Sequence, residues 1–171
     1  MSLTGLKPLM LGGATGARLT LAVAESLTCG RLQSRIGALS GASGFFLGGI
    51  TAYTLGQKIR HLGVPRELAG PVNCVSEQVA LAMARGARRL FGADIALATT
   101  GYAEPVLEQK IARPFAWIAL DAGGAGGTAI ARRVDCPATL TRCAVQQRVA
   151  VAACDMLLEY LASLRLAQSF P

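Results

Sequence analysis

Three short stretches hold most of the side chains in this 171-residue chain that could do chemistry: Glu25-Ser26-Leu27-Thr28-Cys29-Gly30, Tyr53-Thr54-Leu55-Gly56-Gln57-Lys58 and Thr100-Gly101-Tyr102-Ala103-Glu104-Pro105. Ser26 follows an apolar run and precedes a helical pattern, so it stands where a strand turns into a helix. The first N–H groups of a helix lack intrahelical partners, and such donors stabilise an oxyanion or bind a phosphate. A serine at that junction suits nucleophilic attack, provided a base activates it. His61 is the single histidine and no Ser-His-Asp set is evident. Lysine is the alternative base, and at neutral pH it needs its pKa brought from about 10.4 to about 7–8. Burial beside hydroxyls does this, because desolvation disfavours the ammonium form. Lys58 ends a stretch that is free of charge back to Arg35. Tyr53, near the end of the preceding strand, can face the same cleft and relay a proton. Blander readings stand beside these: Ser26 as a helix N-cap, Lys58 as a solvated surface lysine, Tyr53 as an ordinary strand aromatic. Glu25 would orient a ligand or pair with a cation, and His61 would close a helix without a catalytic part.

The elements that must position these residues are legible from periodicity. Leu19 to Ala24 is a continuous apolar run of strand length, as expected of a strand buried on both faces. Leu32, Ile36 and Leu39 then fall at helical spacings. A second strand is expected over Gly49 to Thr54, and a short helix from Gln57 to Leu62, closed by Gly63 with Pro65 beyond. Ser76 is a good N-cap with Glu77 in the first turn. A helix core stripe of Val79, Met83, Ala87 and Leu90 follows, ending at Gly92. Asp94 to Thr100 forms a third strand. Phe115 to Ala122 and Thr128 to Val134 flank a hairpin turn at Gly123–Gly127 and are expected to be antiparallel. A last helix runs from about Arg142 to Leu164, with Val145, Val149, Ala152, Met156 and Leu157 inward. The order β-α-β-α-α-β-β-β-α implies a three-layer α/β/α sandwich on a mixed sheet of about five strands, parallel first and antiparallel late. Ligands in open sheets of this kind sit beyond the carboxyl ends of the strands, which is where the three reactive stretches fall.

Composition narrows the function classes. Hydrophobic residues make up 52% of the chain and aromatics 5%, so the core is built from Ala, Leu, Val and Ile and disorder is excluded. No repeat or linker divides residues 1–171, which read as a single domain. The net charge of +7 favours anionic partners. Its Lys and Arg are scattered, however, with no run interleaved with aromatics, which argues against nucleic-acid binding. The Gly-rich turn at Gly12, Gly13 and Gly16 lacks the phosphate-loop pattern. The five cysteines are odd in number and irregular in spacing. With one histidine they offer no zinc site, and they read as reduced thiols of a cytoplasmic protein. The uncharged segment from Arg35 to Lys58 is long enough to span a bilayer. Its six glycines and five hydroxyls read instead as packed strand and turns. With no signal-peptide core at the start, a soluble, unexported protein without membrane contact is expected.

Several ordered motifs resemble one family, the C-terminal domain of the competence-damage-inducible protein (CinA), whose members are the nicotinamide mononucleotide deamidases. Its A-E-S-x-T-G-G pattern resembles Ala24 to Gly30. Its G-S-S-x-x-F-x-G-G-x-x-A-Y segment is similar to Gly41 to Tyr53, and K-I-x-x-L-G-V follows at Lys58 to Val64. V-S-E-x-V-A matches Val75 to Ala80 and G-A-D-I-A-x-A-x-T-G matches Gly92 to Gly101. The similarity spans about residues 19–164 and implies the stand-alone form of the domain, a homodimer acting on a small nucleotide. The implied reaction hydrolyses the amide of nicotinamide mononucleotide to nicotinate mononucleotide and ammonia, with no cofactor or metal. Carried onto matching positions, Ser26 is the nucleophile, Lys58 its base, and Tyr53 and Ser43 assist proton transfer and substrate positioning. Thr28, Cys29 and Gly30 contribute helix N-terminal donors, and Glu25, Thr100 and Gly101 complete the substrate contacts.

The chain also departs from that pattern. Cys29 stands where the family has glycine. T-G-x-A-G-P becomes Thr100 to Pro105 with Glu104 at its fifth place, and Val106-Leu107-Glu108-Gln109 replaces the Gly-rich stretch that follows. Glu104 and Glu108 put negative charge where a phosphate-bearing substrate would lie. Two functions therefore stay open at this point: an amidohydrolase with altered specificity, and a nucleotide-binding or interaction domain of the same family that has lost catalysis.

Overall fold

The computed structural model describes residues 3–123 and 127–168. Its elements are α1 (Leu6–Met10), β1 (Leu21–Glu25), α2 (Arg31–Gly37), β2 (Phe46–Thr51), α3 (Leu55–Leu62), α4 (Arg66–Ala69), α5 (Glu77–Phe91), β3 (Ile95–Tyr102), β4 (Phe115–Ala122), β5 (Thr128–Asp135) and α6 (Arg142–Gln168). The five strands form one sheet in the order β2-β1-β3-β4-β5. β1 is parallel to β2 and β3, whereas β3–β4 and β4–β5 are antiparallel. Helices cover both faces, which makes the expected three-layer sandwich with a mixed sheet.

The two faces differ in side-chain size. Leu21, Val23, Ile95, Leu97, Ile118 and Leu120 point toward α1, α2 and α6. On the opposite face the fully buried strand residues are alanines, Ala22, Ala24, Ala96, Ala98 and Ala119, beneath α3 and α5, with Ile50 and Trp117 packed partly buried beside them. Small side chains let α5 lie close to the sheet, and α3 lies equally close to α5. A Cβ on Gly86 of α5 would run into the main-chain carbonyl of Leu62, so only glycine fits that crossing. α5 starts as its sequence dictates, with the Ser76 hydroxyl accepting from Val79 N–H at 3.2 Å, and stops at Gly92 in the left-handed region.

The differences from expectation have local causes. α1 and the short α4 fall where the sequence shows no extended periodicity. β2 starts at Phe46, earlier than Gly49, because Phe46 and Gly48 already pair with β1. Leu90 is half exposed and does not belong to the core stripe. The α5 face turns instead through Ala80, Ala84 and Gly86 beside Val79, Met83 and Ala87. Ala152 is only partly buried, with Ala153 and Cys154 taking the inner positions of α6. β4 and β5 pair from Ala122↔Thr128, and residues 124–126 of the expected turn lie outside the described residues.

Candidate active site

Parallel β1, β2 and β3 deliver their carboxyl ends to one edge of the sheet, and Ser26, Tyr53 and Thr100 arrive there together. Ser26 extends the β1 ladder by one bond, its N–H donating to Thr99 O at 3.0 Å. α2 begins only at Arg31, with Gly30 in the cap position, so Ser26 is not a helix N-cap. Lys58 arrives from α3. It and Leu62 are that helix's buried residues, one turn apart on the same stripe. A lysine therefore occupies a position that periodicity assigns to the core.

Lys58 is 1% exposed, which excludes a solvated surface role. Its Nζ lies 2.9 Å from Ser26 Oγ, 2.9 Å from Ala52 O and 2.9 Å from Tyr53 O. Burial pushes the lysine pKa below its ordinary value, opposed by the neighbouring Cys74. A neutral amine has two N–H donors and one lone pair. Protonated, Lys58 Nζ donates to all three oxygens; neutral, it keeps its two donors on the carbonyls and turns its lone pair to Ser26 O–H. That arrangement lets Lys58 accept the serine proton.

The pair opens into a cavity of about 360 Å³ lined by Ser26 and Leu27, by residues from Tyr53 to Leu55 and Lys58, from Asn73 to Val75, from Thr100 to Ala103, and by Arg142. That is within the range of small-molecule sites. Thr100 is buried, and its hydroxyl donates to Cys74 O at 2.7 Å, so it shapes the wall rather than offering a free group. Gly101 has no room for a side chain, because a Cβ would meet the Phe115 carbonyl and Ala116 across the ladder. Asn73 and Cys74 both adopt left-handed backbone, at φ +47° and +62°. Asn73 Nδ2 donates to Gln109 Oε1 at 3.0 Å, which also accepts from Tyr102 O–H at 2.8 Å. These bonds tie the β3–β4 connection to the residues before α5.

The structure does not bring every expected residue to this cavity. Glu25 is fully buried, and its carboxylate accepts from the N–H groups of Gly30, Leu32 and Gln33 at 3.0, 3.1 and 2.9 Å. It does not line the cavity, and among the described residues it forms no ion pair. It caps α2 and takes the Gly30 N–H expected to serve an oxyanion, while the Cys29 N–H donates to Ser26 O at 3.2 Å. Thr28 is buried with its hydroxyl 2.7 Å from that of Thr99. Cys29 is exposed in left-handed backbone at φ +51°. Thr28, Cys29 and Gly30 therefore form the turn that presents Ser26 and do not line the cavity. Ser43 lies in the 3-10 turn Ala42–Gly44 before β2. That places it at the amino end of the strands, roughly 20 Å of strand away from Ser26. Tyr53 is half exposed. Its hydroxyl accepts from Arg142 at 2.7 Å, and only its main-chain carbonyl touches Lys58.

Arg142, Asn73 and Cys74 escaped sequence reasoning. The N-cap at Ser76 is a weak signal for residues two and three places before it. Arg142, first residue of α6, is brought to the mouth by a long-range packing no local pattern encodes. It also donates to Glu104 at 2.6 Å, so the negative charge expected from Glu104 arrives already paired. Gln146 of the same helix donates to Leu27 O at 2.7 Å, fixing the main chain next to Ser26. Among the described residues no group of three His, Cys, Asp or Glu is placed to hold a metal, and no helix is long and apolar enough to cross a membrane.

The model of the CinA C-terminal domain matches residues 6–161. A CinA-like protein of Geotalea daltonii is 52% identical over 91 residues, 53% of this chain and 22% of that protein. Another from Gemmatimonas aurantiaca is 43% identical over 122 residues, 70% of this chain and 28% of that protein. The chain thus spans about a quarter of the length of these curated relatives. The crystal structure of a CinA superfamily protein from Enterobacter cloacae superposes with a TM-score of 0.81 at 27% identity, covering 91% of this chain and 88% of that one.

Proposed function

The chain belongs to the CinA C-terminal domain family, and from that membership and the Ser26–Lys58 contact we propose that it is an amidohydrolase with a serine nucleophile and a lysine base. Ser26 Oγ attacks the carbon of a linear carboxamide while Lys58 accepts the hydroxyl proton. The tetrahedral intermediate collapses, Lys58 returns the proton to nitrogen, and ammonia leaves an acyl-serine. A water molecule, deprotonated by Lys58, then attacks that ester, and the carboxylate departs as Ser26 regains its proton. One amide and one water give one carboxylate and one ammonium. The single observation that supports the reading is the 2.9 Å Lys58–Ser26 bond in a buried site whose other amine donors are already occupied.

With the α2 donors capped by Glu25, electrostatic help for the oxyanion comes from α3, which begins at the cavity wall. Its N-cap Thr54 makes no side-chain cap bond, and Thr54 and Leu55 line the cavity, which puts the positive end of that helix at the cavity wall. Nicotinamide mononucleotide, the substrate implied by the family resemblance, is the compound to try first. Ammonia release by wild type, Ser26→Ala and Lys58→Met tests the reading. Absence of turnover by wild type on this and related carboxamides would reject it. The homodimer that the resemblance implies and the cytoplasmic location read from the cysteines belong to the same proposal, and a monomer by light scattering would remove the first.

A second reading, a nucleotide-binding or interaction domain without catalysis, draws on the Glu104–Arg142 pair, which fills the cavity mouth with an internal ion pair. It predicts mononucleotide binding without ammonia. A flat titration of mononucleotides would remove it.

A further inference from the structure

Of the residues lining the cavity, only Lys58 and Arg142 have basic side chains, and none is acidic. Lys58 is committed to Ser26 and two carbonyls. Among the described residues that line the cavity, Arg142 is thus the one permanent cation open to a substrate anion. Its guanidinium is already engaged twice, by Glu104 Oε1 at 2.6 Å and Tyr53 Oη at 2.7 Å. Glu104 follows directly on the lining residue Ala103, and its carboxylate holds the Arg142 N–H that an incoming anion would need. The pairing has a local reason as well. Arg142 is a cation at the start of α6, whose first turn contains no acidic residue, and Glu104 supplies the negative charge that a helix N-terminus favours.

We infer that Glu104 is a specificity-determining residue, which neutralises Arg142 and sets the cavity to take carboxamides without a phosphate or carboxylate group over their anionic counterparts. This rests on the amidohydrolase reading only in that the ligand is a carboxamide. An anionic substrate must displace Glu104 from Arg142 and then lie beside the displaced carboxylate. An uncharged or cationic one meets neither cost. Both partners of the pair are partly exposed, so the effect is a graded preference and not a block.

The test uses nicotinamide mononucleotide and its dephosphorylated riboside as matched probes, titrated calorimetrically at low salt into the Ser26→Ala protein, where no turnover intervenes. The riboside is expected to bind at least as tightly as the mononucleotide. Adding Glu104→Gln should tighten the mononucleotide by about three- to tenfold and leave the riboside within about twofold. Glu104→Ala should act in the same direction, and Glu104→Asp should keep part of the discrimination. A mononucleotide preference that Glu104→Gln leaves unmoved would overturn the assignment, as would equal changes for both probes or no binding of either. Ammonia release by wild type is measured alongside. A probe-selective shift without ammonia from either compound defeats the amidohydrolase reading and leaves the role of Glu104 standing.

Discussion

Lys58 Nζ lies 2.9 Å from Ser26 Oγ, and its two remaining bonds go to the carbonyls of Ala52 and Tyr53. Among the described residues no carboxylate pairs with the amine, so the geometry serves a lysine that gains and loses its proton. Ser26→Ala and Lys58→Met should each lower kcat by about a thousandfold or more. Combining them should cost little beyond either alone, because the two act as a unit. Lys58→Met should also lose about 1–3 kcal/mol of stability in urea melts, since two buried carbonyls lose their donor. A near-additive double variant would separate the two residues mechanistically.

The direction of the Lys58 shift fixes the sign of two pH dependences. Activity requires the neutral amine, so kcat/KM should rise with pH and level off below the ordinary lysine range. Stability follows the same titration. Folded Lys58 binds its proton more weakly than unfolded Lys58, so between the lowered folded value and about 10.4 the unfolded chain carries more protons. Across that window Lys58 makes the protein more stable as pH rises, and below it the full cost of a buried ammonium is present. Lys58→Met should remove this part of the pH slope. An unchanged slope in chemical melts at stepped pH would show that Lys58 titrates normally.

The succession of strands and helices and the site's centre were legible for different reasons. Unbroken apolar runs such as Leu19 to Ala24 can only be buried strands, and the Ser76 and Gly92 caps bound their helix by local chemistry alone. Ser26 and Lys58 were legible because a serine after a strand and a lysine after a long uncharged stretch are conspicuous. The partners of Glu25 were not, because a carboxylate capping α2 and one binding a ligand look alike in sequence. Ser43 was misplaced for a similar reason. Being two residues from Gly41 and ten from Tyr53 says nothing about which end of a strand a residue occupies. Arg142 required knowing how α6 packs, a relationship across 89 residues to Tyr53.

Tyr53 distinguishes proton relay from positioning. Its hydroxyl is bound to Arg142, and its link to Lys58 runs through the main chain. Tyr53→Phe keeps that carbonyl and frees one Arg142 donor. KM should rise a few-fold with kcat within about twofold, the signature of lost binding common to ground and transition states. A fall in kcat of about a hundredfold at unchanged KM would instead put the hydroxyl in the proton path.

Glu25 predicts a stability effect separable from chemistry. Three charge-assisted N–H bonds end on one fully buried carboxylate. Glu25→Ala leaves those donors unsatisfied at the start of α2 and should cost about 3 kcal/mol or more. Glu25→Gln should cost less, because its amide oxygen still accepts. Chemical melts measure both, and a change below about 0.5 kcal/mol would mean that water replaces the cap.

The five cysteines should divide by burial when probed with a thiol alkylator. Cys29 and Cys143 are exposed, and Cys74, Cys136 and Cys154 are buried. Alkylation needs both access and thiolate. Burial pushes the Cys136 thiol up and the Cys154 thiol to about 11, overriding in each case a nearby arginine that acts the other way. Brief treatment at pH 8 should therefore label Cys29 and Cys143 alone, and denaturant should bring the total to five adducts by mass. Slow labelling of Cys74 that keeps pace with loss of ammonia release would follow from its place on the cavity wall beside Lys58. Labelling of Cys154 in the folded protein at that pH would mean that the α6 face opens far more readily than its packing on β3 and β4 implies.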